Sequence, residues 1–200
     1  MTAYFKYIPN MITIARMLAM VPLMWLMWHK EYKGALLVAL VAGASDGLDG
    51  FLAKKFNWQG WLGGVLDPLA DKLMMFCCYS VFMLQGIVPL WLYLLIIGRD
   101  LLIVGGATYY HFYVGKLAKA SPTFISKANT ALQIFLILVL LLSYSGWLDL
   151  YAWHDVLFVM AGVLAVISGA HYVLLGMRMK RTAKQHDNVI TSFNGVNNND

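Results

Sequence analysis

Eight ionisable residues stand inside otherwise apolar stretches of this 200-residue chain: Arg16, Asp46, Asp49, Asp67, Asp71, Lys72, Arg99 and Asp100. A charge near the middle of a membrane-crossing helix costs about 2.5–3.5 kcal/mol even on the lenient insertion scale, so a set of them requires partners or a water-filled cavity. Asp46 and Asp49 are three residues apart, and Asp67 and Asp71 four, spacings that put each pair on one face of a helix. A short connection makes the two helices antiparallel neighbours, and the pairs can then converge. Four carboxylates in one place repel one another unless cations lie between them. Oxygen-only ligation selects hard ions, Mg²⁺, Mn²⁺ or Ca²⁺, over zinc, and Mg²⁺ keeps positions open for phosphate oxygens. Gly43, Gly47, Gly50, Gly63 and Gly64 thin the helix walls there, so a polyphosphate could approach the backbone. Small residues are also the usual contact between membrane helices, and at Gly43 that reading has equal weight.

The elements that must position these residues are read from composition and charge. Hydrophobic residues make up 60% of the chain and charged ones 12%, with a mean hydropathy of +0.66, against roughly 25% charged residues in a soluble domain. The fold predicted is an all-α integral membrane protein of six transmembrane helices, over residues 10–28, 34–54, 62–84, 88–112, 125–145 and 154–177. Each stretch reaches the length of about 20 residues that a bilayer demands. Residues 1–9, with Tyr4, Phe5 and Tyr7 beside Lys6, read as a short interfacial segment. Residues 10–178 form the six-helix domain, and 179–200 a polar cytoplasmic tail expected to be disordered. The first apolar run is followed by no small-residue cleavage site and reads as a retained helix.

Lys6, Lys54, Lys55, Lys116, Lys119, Lys127, Lys180, Arg181 and Lys184 fall on one side of such a bundle, and Lys30 and Lys33 on the other. Cytoplasmic loops retain the positive excess, so both termini are assigned to the cytoplasm and the four aspartates to the cytoplasmic half of the membrane. In a bacterium this would be the inner membrane. The net charge of +5 flanks apolar runs rather than forming a stripe, which speaks for topology and anionic lipid and against nucleic acid. Cys77 and Cys78 are adjacent and read as packing residues. The five histidines show no ligand spacing and are placed at the interfaces, as are Trp25, Trp28, Trp91, Trp147 and Trp153.

The acidic stretch reads Asp46-Gly47-Leu48-Asp49-Gly50-Phe51-Leu52-Ala53-Lys54, eight further residues, then Gly63-Gly64-Val65-Leu66-Asp67-Pro68-Leu69-Ala70-Asp71. This resembles the signature of the CDP-alcohol phosphotransferases, Asp-x-x-Asp-Gly-x-x-Ala-Arg, eight residues, Gly-x-x-x-Asp-x-x-x-Asp, at unbroken spacing. Lys54 departs from it, since it keeps the cation but lacks the planar fork of arginine. The resemblance implies a six-helix homodimer with a cytoplasm-facing cavity and two divalent cations, Mg²⁺ or Mn²⁺. It implies Asp46, Asp49, Asp67 and Asp71 as metal ligands, Asp71 also as general base, and a CDP pocket shaped by Gly47, Gly50, Ala53, Lys54 and Gly63 together with Asp46 and Asp67. The activity implied is transfer of the phosphatidyl group of CDP-diacylglycerol to an alcohol with release of CMP.

The run from Pro9 to Arg16 resembles the first-helix entry of the branch that uses glycerol 3-phosphate or phosphatidylglycerol as acceptor. Gly98-Arg99-Asp100 and the run from Pro122 to Gln133 look more like CMP-forming cardiolipin synthases than phosphatidylglycerophosphate synthases, so phosphatidylglycerol is favoured over glycerol 3-phosphate. Arg99, Lys127 and Arg16 are the candidates to hold the acceptor's phosphate, with an ion pair for Arg99 and snorkelling for Lys127 as the alternatives. Asp100 is expected to point elsewhere on its helix. An intramembrane prenyltransferase and an intramembrane cation transporter also use buried acids. The spacing from Gly63 to Asp71 disfavours the first, and the absence of inverted repeats or broken helices the second.

Overall fold

A computed structural model describes residues 8–56, 61–113 and 124–196, with side chains described at 14–45, 70–106, 124–174 and 176. Among these residues there are six helices and no strand: α1 (Ile8–Trp28), α2 (Tyr32–Phe56), α3 (Trp61–Leu84), α4 (Leu90–Tyr113), α5 (Phe124–Tyr144) and α6 (Tyr151–Val196). Their order and boundaries follow the apolar runs of the sequence closely. The interfacial segment assigned to residues 1–9 lies outside the described residues up to position 7. At the far end, α6 continues as helix to Val196, across residues where the sequence suggests a disordered tail. Extending an existing helix fixes one residue per hydrogen bond without a new nucleus, which is why a polar sequence without proline can continue it.

Three helices end in the same way, with a residue in the left-handed region that lets amides reach back to the last carbonyls. Gly86 (φ 73°) follows α3, where Gly86 N donates to Met83 O and Ile87 N to Phe82 O. Gly146 (φ 74°) follows α5. After α1 the position is taken by Lys30 (φ 62°), with Lys30 N donating to Met27 O and Glu31 N to Leu26 O. A non-glycine residue there carries a steric cost, offset by the tight connection it allows between α1 and α2.

The apolar residues divide by helix face. On α1, Arg16, Met20, Leu23 and Met27 are buried, while Ile14, Leu18, Val21 and Trp25 on the opposite side are exposed. On α6, Leu157, Phe158, Ala161, Ala165 and Ser168 are buried, and Val156, Val159, Met160, Val163, Val166 and Ile167 are exposed. So much contiguous exposed aliphatic surface is foreign to a soluble monomer and suits lipid. Phe124–Tyr144 and Tyr151–Leu174 are each long and apolar enough to cross a bilayer, and Ile14–Trp28 and Tyr32–Ser45 form shorter apolar stretches. All five tryptophans assigned to the interfaces are exposed. Cys77 and Cys78 are free thiols, the second 2% exposed in the core.

The chain forms two compact units, one of residues 1–93 with 131–159 and one of residues 94–130 with 160–200. The four aspartates and Arg16 belong to the first; Arg99, Asp100 and Lys127 belong to the second.

Candidate active site

In the first unit α1 packs against both α2 and α3. At one end, Gln85 just beyond α3 donates from Nε2 to Met27 O at 2.6 Å, and Tyr32 at the start of α2 donates its hydroxyl to Gln85 Oε1 at 2.8 Å. This single amide therefore joins α1, α2 and α3, and α1 and α3 run parallel with α2 reversed between their ends. From it the register of the acids can be counted. Asp46 lies fourteen residues beyond Tyr32 on α2, and Asp71 fourteen before Gln85 on α3. At 1.5 Å per residue, both positions are about 21 Å along their helices from the shared anchor. The two acid-bearing turns thus stand at the same distance along their helices from this anchor.

Asp71 is the described member of the set. Its side chain is 48% exposed, and its Oδ1 accepts a hydrogen bond and ion pair from Arg16 Nη1 at 3.0 Å. The Arg16 side chain is 2% exposed, so the cation sits behind the carboxylate, on the buried face of α1. Sequence reasoning assigns Arg16 to the acceptor's phosphate; the described contact is with the carboxylate expected to act as base. The reason is burial: a guanidinium removed from solvent takes the nearest anion of its own protein.

The side chains of Asp46, Asp49, Asp67, Ala53 and Lys54 lie outside the described ones, as do Gly47, Gly50 and Gly63. Their backbone places Asp46 and Asp49 on α2 and Asp67 on α3. Among the described residues no three metal-ligating side chains meet. The donor set that the helices carry, carboxylates alone, has the chemistry of a hard-cation site. Gly43, on the same helix, is exposed with open space around its Cα.

In the second unit Arg99 is 5% exposed and surrounded by oxygens. Its Nη1 donates to Asp100 Oδ1 at 2.6 Å, Nε to Ser168 Oγ at 3.2 Å, and Nη2 to Ser168 Oγ at 2.9 Å and to the Ser126 hydroxyl. Its methylene stem passes beside Gly169, where a Cβ would meet Arg99 Cγ at an ordinary van der Waals distance of 3.8 Å. The expectation that Asp100 points away from Arg99 is overturned: a buried guanidinium needs a counter-charge, and the long side chain folds onto the neighbouring carboxylate. The cluster ties α4 to α5 and α6. Arg99→Met, which takes the guanidinium from the 15%-exposed Asp100 carboxylate, is expected to lower stability by about 3 kcal/mol, with Asp100→Asn recovering part of the loss. Thermal unfolding of the purified protein in detergent would check this.

Lys127 is exposed in the first turn of α5. Asn129 and Gln133, further along that helix, are fully buried with amide atoms that meet no hydrogen-bond partner, while the Gln133 carbonyl accepts from Tyr79 at 2.9 Å. Ser126, Ser168, Tyr32 and Gln85 were not singled out from the sequence. The signal available was weak, a polar residue within an apolar run. His154, assigned to an interface, is buried beside Tyr144, Tyr151 and Phe158. An open cleft of about 450 Å³ lies between the α3–α4 turn and α6, lined by Gly86, Pro89, Trp91, Asp155 and Phe158. It is at the opposite end of α3 from Asp71 and holds none of the predicted site residues.

The described residues are helical, with large lipid-compatible faces and acid pairs on two helices that both pack against α1, the setting of a membrane-embedded protein. The family model for CDP-alcohol phosphatidyltransferases matches residues 6–174, and the chain belongs to that family. Among similar proteins is a cardiolipin synthase (CMP-forming) of Streptomyces coelicolor, 37% identical over 179 residues, 80% of this chain and 81% of the relative. A CDP-diacylglycerol–glycerol-3-phosphate 3-phosphatidyltransferase of Aquifex aeolicus is 29% identical, covering 86% of this chain and 97% of its own length. A cardiolipin synthase (CMP-forming)/mitochondrial hydrolase fusion protein of Schizosaccharomyces pombe is 33% identical over 84% of this chain but only 30% of its own length. The chain likewise spans 47% of a related rice chloroplast phosphatidyltransferase.

Proposed function

We propose that this chain transfers the phosphatidyl group of CDP-diacylglycerol to phosphatidylglycerol, forming cardiolipin and releasing CMP, with Asp71 as general base. The observation that carries the reading is the half-exposed carboxylate of Asp71, braced by buried Arg16 and level with the Asp46 turn of α2. A fixed, solvent-facing carboxylate can take the proton of an acceptor hydroxyl as its oxygen attacks the phosphatidyl phosphorus and the bond to CMP breaks. Two divalent cations, Mg²⁺ or Mn²⁺, held by Asp46, Asp49, Asp67 and Asp71, would draw charge from the diphosphate. Gly47, Gly50, Ala53, Lys54 and Gly63 border the CDP moiety in this reading. Lys127, exposed in the first turn of α5, is the candidate within the second unit for the acceptor's phosphate, since Arg99 there is engaged with protein oxygens.

The protein works in this reading as a six-span homodimer with both termini and the site on the cytoplasmic side, where the nucleotide is found. Relatives named for both reactions keep glycerol 3-phosphate as a second acceptor, and the Aquifex aeolicus protein, aligned over nearly its whole length, favours it. The test is to give purified enzyme CDP-diacylglycerol with each acceptor separately and identify the lipid formed. Cardiolipin from phosphatidylglycerol alone supports the first assignment; phosphatidylglycerophosphate alone replaces it with the second; no CMP from either removes the transferase reading.

A further inference from the structure

We infer that Arg16 is a positioning residue for the reaction: anchored in α1, it fixes the orientation of the Asp71 carboxylate through its contact with Oδ1. The inference rests on Asp71 as base. Three observations support it. First, the exposures are opposite across a 3.0 Å contact, 2% for the Arg16 side chain and 48% for Asp71, so the cation acts from behind and the carboxylate alone faces solvent. Second, Arg16 shares the buried face of α1 with Met20, Leu23 and Met27, which denies its long side chain the rotamer freedom of a surface arginine. Third, α1 and α3 are joined at two levels, by Arg16 with Asp71 and by Gln85 with Met27 O, eleven residues along α1 and fourteen along α3. A helix held at both levels cannot slide or turn without breaking one of them, so the Asp71 oxygen inherits the rigidity of the α1–α3 pair.

Two properties separate this role from helix packing. The position tolerates loss of the charge better than a fully buried pair would, because Asp71 is half-exposed and water can solvate it once Arg16 is gone. The geometry of the base does not tolerate it, since a displacement of about 1 Å at a reacting group costs on the order of 10²-fold in rate. Stability and turnover should therefore respond differently to the same substitution.

The experiment compares wild type, Arg16→Met and Arg16→Lys as purified full-length protein in mixed micelles, after the acceptor assay above has shown CMP release by wild type. Arg16→Met is expected to keep its thermal midpoint and to lose about 100-fold in kcat, with KM for CDP-diacylglycerol changed less than about threefold. Arg16→Lys, which restores a cation without the fork, is expected to recover about tenfold of that loss. A second measurement is independent of turnover: Mn²⁺ titration followed by its paramagnetic resonance. Arg16→Met should shift Mn²⁺ affinity at least about threefold where Asp71 is present and by a negligible factor in the Asp71→Asn background, the signature of an effect carried through Asp71. A kcat for Arg16→Met near that of wild type would overturn the inference. So would a thermal midpoint and kcat that fall together with no gain from lysine, or an equal Mn²⁺ shift in both backgrounds. A wild type that makes no CMP overturns the proposed activity, and the Mn²⁺ cycle then still decides whether Arg16 acts on the carboxylate.

Discussion

Asp71→Asn should yield a folded protein with no measurable CMP release, a fall of at least about 10³-fold in kcat. Asparagine has the shape of aspartate and its Oδ1 can still accept from Arg16, so the contact at 3.0 Å that ties α3 to α1 has a replacement. What it lacks is the ability to take the proton of the acceptor hydroxyl and the negative charge that a cation requires. Since the side chain is 48% exposed and the amide oxygen can still accept from Arg16, the thermal midpoint should fall by a few degrees at most. The control is the pair of readouts: CMP release from CDP-diacylglycerol and thermal unfolding of the same preparation. Turnover within tenfold of wild type would remove Asp71 as the base and leave its contact with Arg16 as helix packing alone.

Excess chelator should silence the wild-type enzyme to a similar depth, by at least about 100-fold, and added Mg²⁺ or Mn²⁺ should restore it where Zn²⁺ does not. The argument is electrostatic. In the proposed reading, acid pairs at three- and four-residue spacing on α2 and α3, equally far from the Tyr32–Gln85 anchor, would concentrate negative charge where a diphosphate, itself anionic, binds. Without cations the substrate is repelled by the residues that should receive it. Carboxylate oxygen as the sole donor type favours hard ions over zinc. CMP release that persists after chelation, in protein shown to be free of metal, would mean that the acids serve helix packing or substrate hydrogen bonding and would defeat the mechanism.

The sequence by itself determined the class of this protein. Six apolar runs, with charges confined to a few interior positions, fix an all-helical membrane chain because hydrocarbon tolerates no unpaired backbone group, so helix type and approximate length follow from hydropathy. The acid spacing is legible for the same kind of reason: helical periodicity turns a one-dimensional interval into a shared face. Family membership was readable there too, since the spacing from Asp46 to Asp71 is uninterrupted and a chain of this length carries few other charges with which to confuse it.

Only the tertiary structure decided how the buried polar residues are partnered. Arg16 and Arg99 look alike in the sequence, two arginines inside apolar runs, yet one braces Asp71 from α1 and the other gathers Asp100, Ser126 and Ser168. Asp100 faces its neighbour, Gln85 joins three helix ends, and His154 lies among aromatic rings, each against or beyond what local pattern gives. Hydropathy assigns a residue to the interior and periodicity assigns it to a face. The identity of the group it meets depends on which helices are neighbours and at what register, and that is set by the packing of the whole unit, where an isolated polar group in an apolar interior takes whichever partner the fold brings within hydrogen-bonding reach.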